Sequence, residues 1–156
     1  MVLSDEVIRF LSKQGVVIVS TIDEHGRIHC SAKGIVGVVP EGVVFVIDLY
    51  LHKTFQNLEN NSTVSITVLD EKNFKGYTLQ GKATVVRRED IAEHIIEEWE
   101  RRIIDRISRR VISGVQAESQ KFKHTEASLP AHPKYLIEID VENVIDLSPI
   151  RVSIDA

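Results

Sequence analysis

The chain has 156 residues, 43% of them hydrophobic, and a formal net charge of -4. That length suits a single domain whose core needs no disulfide or metal to hold it, and the one cysteine, Cys30, excludes an intrachain disulfide framework. A negative balance argues against a general nucleic-acid binder, and no stretch approaches the roughly 20 consecutive apolar residues that span a bilayer. The N-terminal MVLSDEVIRFLSKQG is charged and amphipathic and lacks the long apolar run of a secretory signal, so no membrane contact and a cytoplasmic location are expected.

In chain order, Ser4 reads as the N-cap of a helix carrying Val7, Ile8 and Leu11 on one stripe, which Gly15 stops. The β-branched run Val16 to Ile22 reads as a strand buried on both faces. Asp23-Glu24-His25-Gly26 is a hairpin turn. The second strand runs from Arg27 to about Val39, closed by Pro40-Glu41-Gly42, and a third from Val43 to about Leu49. In the second, strand alternation puts Ile28, Cys30, Ala32, Val36 and Val38 on one face, the expected core side. His29, Ser31, Lys33 and Ile35 fall on the other.

The block VVFVIDLYLHKTFQNLENNSTVSITV, Val43 to Val68, reads as strand, turn, short helix and strand. It brings Lys53 and Thr54 to a helix N-terminus at the end of a buried strand. The first amides of a helix lack partners and its dipole favours an anion there, so the arrangement suits a phosphate, with Lys53 adding charge and Thr54 a hydroxyl. The plainer alternative makes Thr54 a cap and Lys53 a solvated charge. Downstream, Val64, Ile66 and Val68 alternate with Ser65 and Thr67 in a fourth strand, Thr63 to Asp70. Phe74 to Arg87 is a fifth, with Gly76 and Gly81 permitting bends or close backbone approach. Ile91, Ile95, Trp99, Ile103, Ile107 and Val111 recur at helical spacing, acidic residues leading and basic ones following, in agreement with the helix dipole. This stripe is expected to be core, with some of it available to a dimer contact. Residues 115–133 are polar and read as a surface loop, and Tyr135 to Val141 is a sixth strand that Val144 to Leu147 extends. Short antiparallel strands with a few helices make a mainly β chain, a barrel decorated with helices.

The six histidines form no metal site: His29 and Cys30 are neighbours in a strand and point to opposite faces. Cys30, mid-strand on the expected core face, reads as inert. Dinucleotide, P-loop and nucleophile-elbow signatures are absent, and no residue is assigned a catalytic role.

The ordered set VVIVSTIDEHGRIHCSAKGIVGV, FVIDLYLHKTFQNLENNSTVSITV and YTLQGKATVV resembles the FMN-binding split-barrel family, which includes pyridoxamine 5'-phosphate oxidase and the small bacterial FMN-binding proteins. The resemblance is closest to the latter, where a similar H-K-T precedes the helix. It implies a six-stranded antiparallel split β-barrel over residues 1–156, with a helical and loop insertion at about 89–134. It also implies a homodimer with FMN at its interface. Carried over by position, Lys53 and Thr54 hold the phosphate after His52, with Ser31 and Lys33 flanking Ala32 alongside. Ile47, Asp48, Leu49, Tyr50 and Leu51 offer backbone contacts to the ring edge, and Gln80, with Ser65 or Thr67, comes from neighbouring strands or the partner. The implied biochemistry is an FMN-dependent oxidoreductase passing electrons from a reduced donor to an acceptor. The alternatives are a non-enzymatic flavin carrier, a related barrel binding deazaflavin or haem, and an interaction barrel with no cofactor.

One departure restricts the chemistry. The oxidase proper ends in a basic cluster for its substrate's phosphate, whereas this chain ends PIRVSIDA. A buried phosphate without paired cations is costly to desolvate. Pyridoxamine or pyridoxine phosphate is therefore expected to yield no hydrogen peroxide at a typical enzyme rate, and turnover of about 1 per second or faster would overturn this.

Overall fold

A computed structural model describes residues 1–48, 52–114 and 133–149, with the side chains of 106–114 left aside. The elements are α1 (Asp5–Ser12), β1 (Val16–Ile22), β2 (Ile28–Val39), β3 (Val43–Asp48), α2 (Lys53–Asn60), β4 (Thr63–Asp70), β5 (Lys75–Arg87), a 3-10 turn (Arg88–Asp90), α3 (Glu93–Gly114) and β6 (Tyr135–Asp146). The strands pair antiparallel in the order β1-β2-β3-β6-β5-β4, and β4 returns to β1, so the barrel is closed. Closure leaves no free sheet edge among these strands.

Local chemistry accounts for the elements. Ser4 Oγ accepts the Val7 N–H at 3.3 Å, starting α1, which buries Val7, Phe10 and Leu11. In the β1–β2 turn one Asp23 carboxylate oxygen accepts the N–H groups of His25 and Arg27, each at 2.9 Å, and Gly26 takes the left-handed φ of 76°. Gly81 sits at a register shift between β5 and β6, where a Cβ would lie 1.9 Å from the Asp140 carbonyl oxygen. This is the close approach that the strand glycine suggested. β6 runs unbroken through Val144 to Asp146, and the Leu147 N–H continues to the Gly76 carbonyl at 2.9 Å.

Two strand readings are corrected. β1 is buried on one face: Val17 and Val19 point inward, while Val16 and Ile18 are 47% and 41% exposed on the outside. A barrel strand has one inner face, and no described element of this chain covers the outer face here. In β2 the faces are reversed. Ile28, Cys30 and Ala32 are exposed, whereas His29, Ser31 and Lys33 are half-buried and Ile35 is fully buried. The β1 register, Val17 opposite Lys33 and Val19 opposite Ser31, fixes this. A bulge between Ile35 and Gly37 then turns Val36 outward.

The interior is filled by Val17, Val19, Ile66, Leu79, Ile137 and Ile139 among others. A second cluster lies outside the barrel, where Val36, Ile47 and Leu136 meet Ile91 and Trp99. The first half of the isoleucine stripe is thus core, as expected. Arg102 fastens α3 there, donating from Nη1 to the carbonyls of Gln14 and Ile35, each at 3.1 Å.

Where α2 closes one end of the barrel, the interior turns polar. Lys33 Nζ lies 2.7 Å from Asp48 Oδ2, with side chains 11% and 1% exposed. The Tyr135 hydroxyl donates to the same oxygen at 2.5 Å. Burial, reinforced by that carboxylate, pushes the Tyr135 hydroxyl far above its ordinary pKa, so it remains a donor. The Phe55 ring of α2 meets the Tyr135 ring edge-on at 5.0 Å between centroids. Asn57 Nδ2 donates to Thr21 Oγ1 at 3.0 Å, a further buried tie between α2 and β1. A buried ion pair costs much to break and little to replace as a whole. Lys33→Ala should lower the unfolding free energy by about 3–5 kcal/mol in chemical denaturation, and Lys33→Met/Asp48→Leu/Tyr135→Phe, which removes all three of these groups together, should cost less. A single variant as stable as the parent would show that the pair is not formed in solution.

Candidate functional site

The N-terminus of α2 opens beside this polar end of the barrel. His52 is its N-cap, extended at φ -114°, ψ -150°, with no side-chain cap bond. Lys53 follows as the first helical residue and is exposed, and Thr54 behind it is buried. The Gln56 N–H bonds back to the His52 carbonyl at 3.2 Å, so the amides before it in the first turn have no partner within the helix. Thr54 Oγ1 and Ser31 Oγ share a hydrogen bond of 2.8 Å, joining the helix start to β2. The Lys53 charge also reaches the β1–β2 turn: Asp23 is held below the usual carboxylate range, first by the Arg27 N–H and further by Lys53.

The residues singled out in the sequence fall into two groups. Ser31, Lys33, Asp48 and Thr54 converge inside the barrel mouth, with His52 and Lys53 at its rim. Thr54 is therefore not a cap: it is the second helical residue and its hydroxyl faces β2. Ile47 is buried against α3. Ala32 and Gln80 belong to the outer surface of the sheet, where Gln80 accepts from Asn143 Nδ2 at 3.0 Å. Leu49, Tyr50 and Leu51 lie outside the described residues. Tyr135, read at first as the start of a strand, is the functional-looking residue that sequence reasoning missed.

The outer surface is a set of cross-strand rows. One runs Cys30, Ser20, Ser65, Gln80, and the next Ala32, Ile18, Thr67, Thr78. Cys30 Sγ lies 3.3 Å from Ser20 Oγ, and the hydroxyls of Thr67 and Thr78 are 3.0 Å apart. Cys30 is thus exposed here rather than buried in the core. Ser20, Ile22, Ile28, Ser65, Gln80 and Lys82 line an open depression of about 330 Å³ in this surface. Among the described residues no His, Cys, Asp and Glu cluster suits a metal ion, and no helix is long and apolar enough to cross a membrane.

Comparison with known proteins places this geometry. A family model described as pyridoxamine 5'-phosphate oxidase matches residues 3–148. No match was found among curated proteins. Similar solved structures include HupZ of Group A Streptococcus, at 17% identity and TM-score 0.63 over 94% of this chain and 95% of that one. HutZ from Vibrio cholerae, described as a heme storage protein, has 22% identity and TM-score 0.54 over 93% and 94%. General stress protein 26 from Bacillus anthracis has 15% identity and TM-score 0.56 over 92% and 93%. At such identities the structural likeness speaks for the fold alone. The family model, spanning nearly the whole chain, and the closed six-stranded barrel with three helices agree, and the chain belongs to the pyridoxamine 5'-phosphate oxidase family of split barrels.

Proposed function

We propose that the protein is an FMN-binding flavoprotein that acts as a homodimer. The observation that carries the reading is the convergence of the Ser31 and Thr54 hydroxyls, 2.8 Å apart, at the open N-terminus of α2 beside exposed Lys53. One ammonium, a turn of helix amides and the one hydrogen that the Ser31–Thr54 hydroxyl pair leaves free form a donor set that fits a phosphate monoester. Lys53 supplies charge at the rim, and the paired hydroxyls behind it supply one directional donor. Lys33 flanks them with its ammonium on Asp48. Ile47 and Asp48 lead toward residues 49–51, to which the family resemblance gives ring contacts, and Ala32 and Gln80 present the outer surface to the ring. The chemistry supplied by bound FMN is electron transfer from a reduced donor to an acceptor. The chain's own residues bind and orient, and no side chain is assigned as acid or base. A haem-binding reading has one observation in its favour, the likeness to the heme storage protein HutZ. The absorption spectrum of the purified protein separates the two, a fluorescent flavin against an intense Soret band. Oxidation of reduced nicotinamide separates an enzyme from a carrier.

The homodimer is supported by the outer surface: Val16, Ile18, Ile28 and Leu69 are 47%, 41%, 75% and 66% exposed on one side of the barrel. Exposed apolar side chains gathered on one face of a sheet, interleaved with serines and threonines, suit the surface of a partner subunit. Sedimentation at micromolar concentration should give a dimer, with an interface of roughly 2,000 Å²; a flavin-loaded monomer would defeat this assembly.

Lys53→Ala should weaken FMN binding about ten- to a hundredfold and leave riboflavin, which has no phosphate, unchanged. Thr54→Ala should act in the same direction and more weakly, with about 1 kcal/mol of stability lost along with the hydrogen bond to Ser31. Titration by flavin fluorescence measures both. Equal weakening of the two ligands by Lys53→Ala would remove the phosphate assignment.

A further inference from the structure

We propose that Asp48 is a positioning residue for the first turn of α2, acting through Tyr135 and Phe55 on one side and through Lys33 and β2 on the other. This rests on the phosphate reading above and adds to it the buried groups that set the site's geometry. The contacts form a closed loop. Asp48 Oδ2 receives Lys33 Nζ at 2.7 Å and the Tyr135 hydroxyl at 2.5 Å. The Tyr135 ring packs edge-on against Phe55 at 5.0 Å. Phe55 follows Thr54, whose hydroxyl bonds Ser31 at 2.8 Å. Ser31 and Lys33 stand two apart on the inner face of β2, which returns the loop to Asp48.

The loop ties β2, β3, β6 and α2 together around one carboxylate that is 1% exposed. Its backbone is held too, because the Asp48 carbonyl accepts the Lys134 N–H at 2.9 Å. A buried, multiply bonded charge has few alternative placements, so the groups bonded to it inherit its position. The first turn of α2 has two side chains on this loop, Thr54 and Phe55. Its N–H groups and Lys53 are therefore aimed by Asp48, Tyr135 and Thr54, which are buried, and by Phe55, Ser31 and Lys33, which are half-buried. Such support for a binding site from behind is what gives donors a fixed direction.

The test separates aim from stability and from charge. Tyr135→Phe keeps the ring on Phe55 and removes the hydroxyl. Lys33→Met/Asp48→Leu/Tyr135→Phe removes one positive and one negative charge, so the net charge of the mouth is unchanged. Both variants and Lys53→Ala are titrated with FMN and with riboflavin, alongside thermal melting and the phosphorus resonance of bound FMN. The expected result is that each network variant weakens FMN about three- to tenfold, leaves riboflavin within about twofold, and shifts the phosphorus resonance. If the network variants weaken both flavins equally, or neither, while Lys53→Ala still separates them, the positioning role is overturned and the phosphate site stands. If Lys53→Ala fails to separate the two flavins, the phosphate reading falls and takes the positioning role with it. Should Tyr135→Phe melt too low to titrate, the apolar triple variant carries the test, since replacing buried paired charges together with apolar groups is often tolerated.

Discussion

A carboxylate at 1% exposure governs how this barrel is put together at one end. Asp48 ends β3 inside the barrel, where an unpaired charge would cost several kcal/mol. Lys33 from β2 neutralises it and the Tyr135 hydroxyl from β6 donates to it, one strand on each side of β3. Three adjacent strands are thereby locked in register at the level where hydrophobic filling stops. α2 can then close the mouth with a mixed face: Phe55 and Leu58 pack on the core, while Thr54 and Asn57 bond to β2 and β1. An all-apolar end would need no such helix face and would leave no polar groups beside its N-terminus.

Barrel closure divides the outside as it organises the inside. α3 covers the outer side of β2, β3 and β6 through Trp99 and its isoleucine neighbours, and Arg102 satisfies the Gln14 and Ile35 carbonyls. On the other side, β1, β4 and the start of β2 present Ile18, Leu69 and Ile28 with no described cover. The two sides differ in chemistry: Val36, Phe45, Ile47 and Leu136 under α3 are apolar, whereas the uncovered side interleaves its apolar residues with Ser20, Ser65, Thr67 and Thr78. The uncovered side spans several strands and is not a local anomaly in one of them.

Much of this was legible in the sequence. β-branched runs, the Asp-Glu-His-Gly turn and the period-2 alternation of β4 mark their elements because each is a local steric or hydrogen-bonding preference. α2 and its Lys53-Thr54 start were legible for the same reason. The faces of β2 were not. Alternation tells which residues share a face, and the rule that apolar residues face the core then chooses the side. Here the inner set includes Ser31 and Lys33 because their partners lie on α2 and β3, while the apolar outer set is left exposed. Continuity misled the reading of β1 likewise: Val16 and Ile18 have the composition of buried residues on a surface that no described element covers. The Asp48–Tyr135 bond joins residues 87 apart in sequence and leaves no local signal.

The internal pairing also shapes what the mouth presents outward. Lys33 is matched by Asp48, so its charge is spent inside. At the rim, Lys53 shares its field with Asp23, whose carboxylate is anchored by two backbone N–H groups of the turn. Exposed charges so arranged are screened by solvent and worth little individually. An anion at this mouth would therefore be held less by net positive potential than by donors of fixed direction, namely the α2 amides and the one free hydrogen of the Ser31–Thr54 hydroxyl pair behind Lys53. Direction requires rigidity, and rigidity at the end of a barrel comes from whatever fixes the strands there. On this reading the buried carboxylate and the exposed helix start form one structural unit, since Ser31, Thr54 and Phe55 belong to both.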